Sequence, residues 1–330
     1  MEDKNTEGLP FENRLPLQDL LEAVAKIKTE LHKVIVGQDD FIELLIIALL
    51  ADGHVLIEGV PGVAKTITAK LLAKTISSGF SRIQFTPDLM PSDILGTSVL
   101  NMKTADFEFK KGPIFSNLIL IDEVNRAPAK TQAALFEVME ERQITIDSHT
   151  YLMPPPFMTL ATQNPIEQEG TYALPEAQLD RFLFKINVGY PSKEEEIEIL
   201  NSQIKRKSSK PESLVKAVLS ETDLLKYRNR IFDILIDDKL VTYIADLVTT
   251  TRSHPQLYLG GSPRASIAIL QASKAGAAIN GRDFVIPEDI QKVMYPILRH
   301  RIILTPENEM EGLTTDHVIK MIIDSITVPR

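Results

Sequence analysis

His54-Val55-Leu56-Ile57-Glu58-Gly59-Val60-Pro61-Gly62-Val63-Ala64-Lys65-Thr66 is the stretch on which the fold turns. A short apolar run, 54–58, passes through a Gly/Pro turn into a helix expected over 64–77, which is the strand–loop–helix context a phosphate-binding loop requires. Gly59 and Gly62 permit backbone angles closed to other residues, so successive N–H groups from Val60, Val63 and their neighbours can converge on phosphate oxygens. The helix N-terminus adds partial positive charge. Lys65 can reach the β- and γ-phosphates of ATP, and the Thr66 hydroxyl can ligate Mg²⁺. The strict pattern has glycine where Ala64 stands; alanine suits the position if its angles are already helical. Without the Lys-Thr pair the same residues would be an ordinary turn between strand and helix.

Working outward, short apolar strands alternate with helices, which indicates a parallel sheet covered on both faces. Strands are expected at 81–85, 117–121, 157–162 and 182–186, with a further helix at 128–142. Two weakly alternating stretches, 96–110 and 143–153, are expected to form hairpins turning near Thr104 and at Asp147-Ser148-His149,. Leu118-Ile119-Leu120-Ile121 places Asp122 at a strand's C-terminal end, where open parallel sheets bind ligands. Asp122 there can hold Mg²⁺ through its water shell, and Glu123 can polarise an attacking water. Alone, this pair would be only a charged strand end. Asn164 ends another apolar strand, and its amide can hydrogen-bond the γ-phosphate or the attacking water. Its bland alternative is a turn before Pro165.

Ahead of the loop, 16–33 and 39–51 follow the helical period, with Pro16 suited to a first helical position and Gly53 to a helix end,. After Gly189-Tyr190-Pro191 only helical periodicity is visible, at 192–206, 240–251, 263–279, 287–298 and 315–326, while 208–230 reads ambiguously. Ser192 and Glu195 form a capping box. Residues 1–15 are expected to be a mobile tail, 16–190 an α/β core and 191–330 a helical lid. Two arginines lack an obvious local reason. Arg264 follows Ser262-Pro263, so it falls in a first helical turn, where a cation opposes the helix dipole. A phosphate across the cleft between core and lid would reverse that penalty, and a solvated or ion-paired arginine is an equal alternative. Arg181 directly precedes a strand and can reach a neighbouring subunit's nucleotide, or pair internally with Asp180 or Glu176.

Composition sets the outer limits. The 330 residues carry 36 Lys plus Arg against 45 Asp plus Glu, a formal charge of −9 that argues against a broadly basic nucleic-acid binder,. With no cysteine, thiol catalysis, thiolate metal sites and disulfide scaffolds are excluded. The most apolar window, 41–60, is broken by Glu43, Asp52, His54 and Glu58, whereas a membrane span needs ~20 nearly unbroken apolar residues. A polar, acidic N-terminus without an apolar core points to the cytoplasm. The six histidines show no metal-ligand spacing.

With these residues in view, the chain resembles the AAA+ ATPases and, within them, the MoxR family. The resemblance runs from about residue 16 onward through VIVGQ at 34–38, GVPGVAKT at 59–66, IQFTPDLMPSDILG at 83–96, LILIDEVNRAP at 118–128, ATQNP at 161–165, EAQLDRF at 176–182 and GSPRA at 261–265. It implies a parallel five-stranded sheet of order 5-1-4-3-2 with an all-helical lid, ATP and Mg²⁺ bound between them, and a ring, usually a hexamer. It also implies roles: Asn164 as sensor 1, Arg264 as sensor 2, Arg181 as a finger acting in trans, and Val36, Gly37 and Gln38 beside the adenine. The two hairpins correspond to inserts of this AAA+ branch. Relatives are associated with chaperone-like maturation of protein partners, often alongside von Willebrand factor A domain proteins. A DNA-handling ATPase and a slow, nucleotide-gated binding module are the competing readings.

Overall fold

The computed structural model describes residues 15–60, 62–103, 105–164, 172–206 and 210–329. The tail expected over 1–15, apart from Leu15, lies outside the described residues, as do Pro61, Thr104 and Pro165. Five strands form one parallel sheet: β1 His54–Gly59, β2 Phe80–Gln84, β3 Leu118–Asp122, β4 Met158–Gln163 and β5 Phe182–Val188. Their spatial order is β5-β1-β4-β3-β2. Alternation along the strands divides two apolar layers. Val55, Ile57, Leu118, Leu120 and Leu160 face one cluster, while Leu56, Ile119, Ile121 and Ala161 face the other. Burial on both faces explains the apolar runs Val55–Ile57 and Leu118–Ile121 in β1 and β3,.

The first cluster joins the sheet to helices Gln18–His32, Asp39–Leu50 and Lys65–Thr75, and continues without a break into the helices after β5. The second is covered by helix Ala129–Glu141. Both hairpins form, over 96–111 and 143–152, and pack on each other through Phe109 and Tyr151, whose ring centroids are 4.6 Å apart. Asp147 and Ser148 take φ of 49° and 64°, the left-handed pair that suits a two-residue hairpin turn.

Beyond β5 come helices Lys193–Arg206, Glu221–Phe232, Asp238–Ser253, Pro263–Ile279, Pro287–Leu298 and Thr315–Ser325. Ser192 and Glu195 form the expected reciprocal cap, at 3.2 and 2.7 Å. The described part of the ambiguous stretch, from 210 on, forms a single 3-10 turn, Pro211–Ser213, and helix Glu221–Phe232, which is capped by Ser220 and anchored by buried Arg228, donor to the Leu49 carbonyl. Between these helices lie a small antiparallel pairing of Leu257–Leu259 with Ile303–Leu304 and a single parallel bridge of Leu235 with Phe284.

Two local expectations change. Pro16 is not the first helical residue, because Leu17 is the N-cap and accepts the Leu21 N–H at 2.9 Å. Nor does Gly53 supply the left-handed turn after helix Asp39–Leu50. Asp52 takes that conformation, φ 56°, while the Gly53 N–H closes onto the Ala48 carbonyl at 2.9 Å,. The lack of a side chain at Gly53 serves packing: a Cβ there would lie 2.4 Å from Leu183 Cδ2.

Candidate functional site

Parallel strands bring the C-terminal ends of β1, β3 and β4 to one edge, and a cleft of about 370 Å³ opens there. Its lining includes Gly62, Ala64, Lys65, Thr66, Asp122, Glu123 and Asn164. The loop's backbone departs from expectation twice. Ala64 is not helical in the right-handed sense but left-handed, with φ 60° and ψ 14°, a conformation costing an L-residue roughly 1–2 kcal/mol. That is why the strict pattern has glycine here. Gly62 has φ +89°, as a phosphate cradle needs. Gly59 does not have positive φ; a Cβ there would meet the Val188 carbonyl oxygen at 2.6 Å, so its smallness lets β5 approach. Val63 is buried in the core and Val60 is half-buried.

On the facing side, the Thr66 hydroxyl is 3.5 Å from Asp122 Oδ1, and Thr162 Oγ1 donates to the same oxygen at 3.2 Å. The other carboxylate oxygen of Asp122 pairs with Arg82 Nε at 2.6 Å. Glu123 is itself left-handed, φ 58°, and its N–H donates to Thr162 Oγ1 at 3.1 Å. The Glu123 carboxylate accepts from Gln84 Nε2 at 2.8 Å and pairs with Arg126 Nε at 2.9 Å. Lys65 Nζ donates to the Gly59 carbonyl. Asn164 is buried at the cleft's edge. Among the described residues no group of three or more His, Cys, Asp or Glu could hold a metal by itself. One hydroxyl and one carboxylate, both hard oxygen donors, fit Mg²⁺, which keeps several waters and takes its other ligands from substrate phosphates.

Val36-Gly37-Gln38 lies beside this loop. Gly37 and Gln38 are consecutive left-handed residues, φ 63° and 56°. Gln38 Nε2 donates to the Val63 carbonyl at 3.2 Å, leaving Gln38 Oε1 a buried acceptor without a hydrogen-bond partner. Glu195 abuts Gly37, where a Cβ would lie 1.8 Å from Glu195 Oε1. The segment therefore joins the loop to helix Lys193–Arg206.

The two arginines are elsewhere. Arg181 and Arg264 share a second groove, of about 290 Å³, with Asp52, His54, Glu140, Asp180 and Arg301. His54 begins β1, so this groove lies at the sheet's opposite edge. Arg264 was expected at the chain's own core–lid cleft; instead it pairs with Glu140 at 2.8 Å. The cause is tertiary: helix Pro263–Ile279 docks along helix Asp39–Leu50, with Gly276 against Ile47, which carries its first turn to the far edge. Arg181 does not pair with Asp180, whose carboxylate binds Arg301 at 2.6 Å. It donates through Nη1 to the Phe136 carbonyl, and its Nε is buried without a hydrogen-bond partner. Burial, reinforced by Arg142, holds the His54 imidazole down to about 4, and burial likewise pushes His300 well below the ordinary histidine range.

Known proteins share this architecture. A model of the ATPase family associated with various cellular activities (AAA) matches residues 54–184, and a model of the AAA lid domain matches 249–322. The chain is 46% identical over 312 residues to YeaC of Bacillus subtilis, covering 94% of this chain and 97% of that one. It is also 46% identical over 310 residues to the chaperone MoxR1 of Mycobacterium tuberculosis, covering 91% and 81%. The chain belongs to the MoxR family of AAA+ ATPases. A crystal structure of a Cytophaga hutchinsonii protein, 45% identical, superposes with a TM-score of 0.88 over 95% of this chain and 97% of that one. Four further side chains shape the cleft of this MoxR-family chain without standing out in its motifs: Arg82, Gln84, Arg126 and Thr162. Arg82 and Gln84 alternate on an edge strand, a two-residue period that puts both on one face. Arg126 stands three residues from Glu123, and Thr162 sits inside the quoted ATQNP stretch.

Proposed function

We propose that this MoxR-type ATPase hydrolyses ATP with Mg²⁺ in a ring of identical subunits, as a hexamer, and uses the cycle to remodel or mature protein clients in the cytoplasm. Proteins with von Willebrand factor A domains are the client class that the resemblance suggests. The observation that carries the reading is the division of the catalytic set between the two edges of one sheet. In this reading residues 16–190 act as the nucleotide-binding core and 191–330 as the lid, and no helix is long and apolar enough to cross a membrane among the described residues.

The roles follow from chemistry. The adenine lies against Val36, Gly37 and Gln38, and the buried Gln38 Oε1 suits its exocyclic amine. Loop N–H groups over 59–66, with Lys65, hold the β- and γ-phosphates. Thr66 and Asp122 hold Mg²⁺, which when bound neutralises charge on the phosphate oxygens as the γ-phosphoryl group departs. Glu123 orients water and accepts its proton, and Asn164 fixes that water against the γ-phosphate. Arg181 and Arg264 come from the neighbouring subunit, where charge develops in the transition state.

Glu123→Gln should retain ATP binding and lose turnover, and undiminished steady-state hydrolysis would refute its role. The trans assignment is read by mixing two inactive variants, Lys65→Ala and Arg181→Ala. Random mixing gives about a quarter of interfaces an intact loop facing an intact arginine, so turnover should return. An inert mixture means that Arg181 acts within its own chain.

A further inference from the structure

Asp180 stands immediately before Arg181, and its carboxylate ties that backbone to Ser262, two residues before Arg264. Its Oδ1 accepts from Arg301 Nε at 2.6 Å, and its Oδ2 accepts from Ser262 Oγ at 3.2 Å. Arg301, buried, uses every nitrogen of its guanidinium. It donates to the carbonyls of Asp180 at 3.1 Å, Phe182 at 2.6 Å, Leu183 at 3.1 Å and Ile297 at 2.6 Å. The guanidinium thus grips the backbone on both sides of Arg181. Ser262 closes the other arm. It occupies the N-cap of helix Pro263–Ile279, two residues before Arg264, yet makes no side-chain cap hydrogen bond. A serine at an N-cap ordinarily bonds its own helix; this one gives that up to bind Asp180.

A buried ion pair is weak evidence for stability, because desolvation offsets most of its attraction. What this one supplies is fixed geometry. We propose that Asp180, held by Arg301 and Ser262, is a positioning residue for hydrolysis. It locks Arg181 and Arg264 at a set spacing, so that they meet a neighbouring subunit's triphosphate as one preformed pair. The inference rests on the trans reading above and adds what aligns the two arginines. Preorganised charge is effective only in place, since a displacement of about 1 Å can cost ~100-fold in rate.

The test uses the mixture of Lys65→Ala and Arg181→Ala chains, in which only the Lys65→Ala chain donates arginines to a productive interface. Ser262→Ala removes one arm and leaves the Arg301–Asp180 pair, so the chain should fold. Placed on the Lys65→Ala chain, it should lower the turnover of the mixture about tenfold, with the ATP concentration for half-maximal rate unchanged. Placed on the Arg181→Ala chain, it should change nothing. Ser262→Thr, which keeps the hydroxyl, should restore the rate in the donor position. Equal losses from both positions, or no loss from the donor, would overturn the proposal while leaving the trans reading intact. A parent mixture without turnover refutes the trans reading, and this proposal with it.

Discussion

Lowering the pH should destabilise this protein through His54. Buried at the start of β1 on the floor of the arginine groove, His54 accepts the Thr159 N–H at Nδ1 (2.9 Å) and faces the Met139 carbonyl with Nε2 (3.2 Å). The neutral ring with its proton on Nε2 satisfies both partners; a second proton would have to sit on Nδ1, against an N–H group. Burial first, then Arg142, hold the folded value to about 4 against an ordinary 6.5. The unfolded chain therefore takes up a proton below about pH 6.5, and the folded one refuses it until about pH 4. Stability is complete above the unfolded value and lost as pH falls through this window. At about pH 5, 1.5 units below the unfolded value, the loss is about 2 kcal/mol. His300 acts in the same direction, so a variant must isolate His54. His54→Asn keeps an acceptor for Thr159 and cannot titrate. Urea unfolding of both proteins at about pH 7.5 and pH 5 gives the double difference, and the variant's drop in stability should be smaller by about 2 kcal/mol. Equal drops, or an imidazole that titrates near its ordinary value by NMR, would refute the argument.

Three further outcomes follow from the same contacts. Thr162→Val is isosteric but removes the hydroxyl that accepts from Glu123 N–H and donates to Asp122; loss of about 3 kcal/mol of hydrogen bonding should lower kcat ~100-fold, with nucleotide affinity, measured by fluorescence titration, nearly unchanged. Gly53→Ala should destabilise by about 1–3 kcal/mol through overpacking against Leu183,, read as a lower urea midpoint with unaltered ATP affinity. Chelation with EDTA should stop turnover, and excess Mg²⁺ should restore it, with the melting temperature without nucleotide unchanged, since no metal completes the fold in the proposed reading.

Much of the fold was legible because its signals are local. Pro263 and Pro287 occupy first helical turns, and both helices begin at those residues and end where their periodicity stops, at Ile279 and Leu298. Leu118–Asp122 is wholly buried, as an unbroken apolar run requires. What escaped depends on contacts distant in sequence. Nothing in the neighbourhood of Glu123 declares a positive φ, and at Ala64 only the glycine of the strict loop pattern hints at one. Arg228 lies amid Lys226 and Arg230 and looks like part of a solvated face; only the Leu49 carbonyl and Asp52 across the fold give it a buried place. Leu257–Leu259 is too short to show a period. Arg264 could be assigned to a first helical turn from sequence, but where that turn lies depends on how its helix docks.

That last point governs how the site can work. Lys65 follows the end of β1, and Arg181 and Arg264 line a groove at its beginning. Five steps along a strand at about 3.3 Å each separate the two edges by roughly 16 Å, beyond the ~7 Å that an arginine side chain spans from its Cα. Moving the lid alone cannot close this gap for Arg181, which is tied through Phe182 into the sheet that carries the loop. Arg181 and the loop of one chain are therefore held apart by the same strands that hold each in place. A chain built this way presents phosphate ligands on one side and arginines on the other. Head-to-tail association brings an unlike pair together at every junction, and a rotation that closes makes that association a ring. In the proposed reading each subunit completes its neighbour's site, which makes the interface, rather than the chain, the hydrolytic unit.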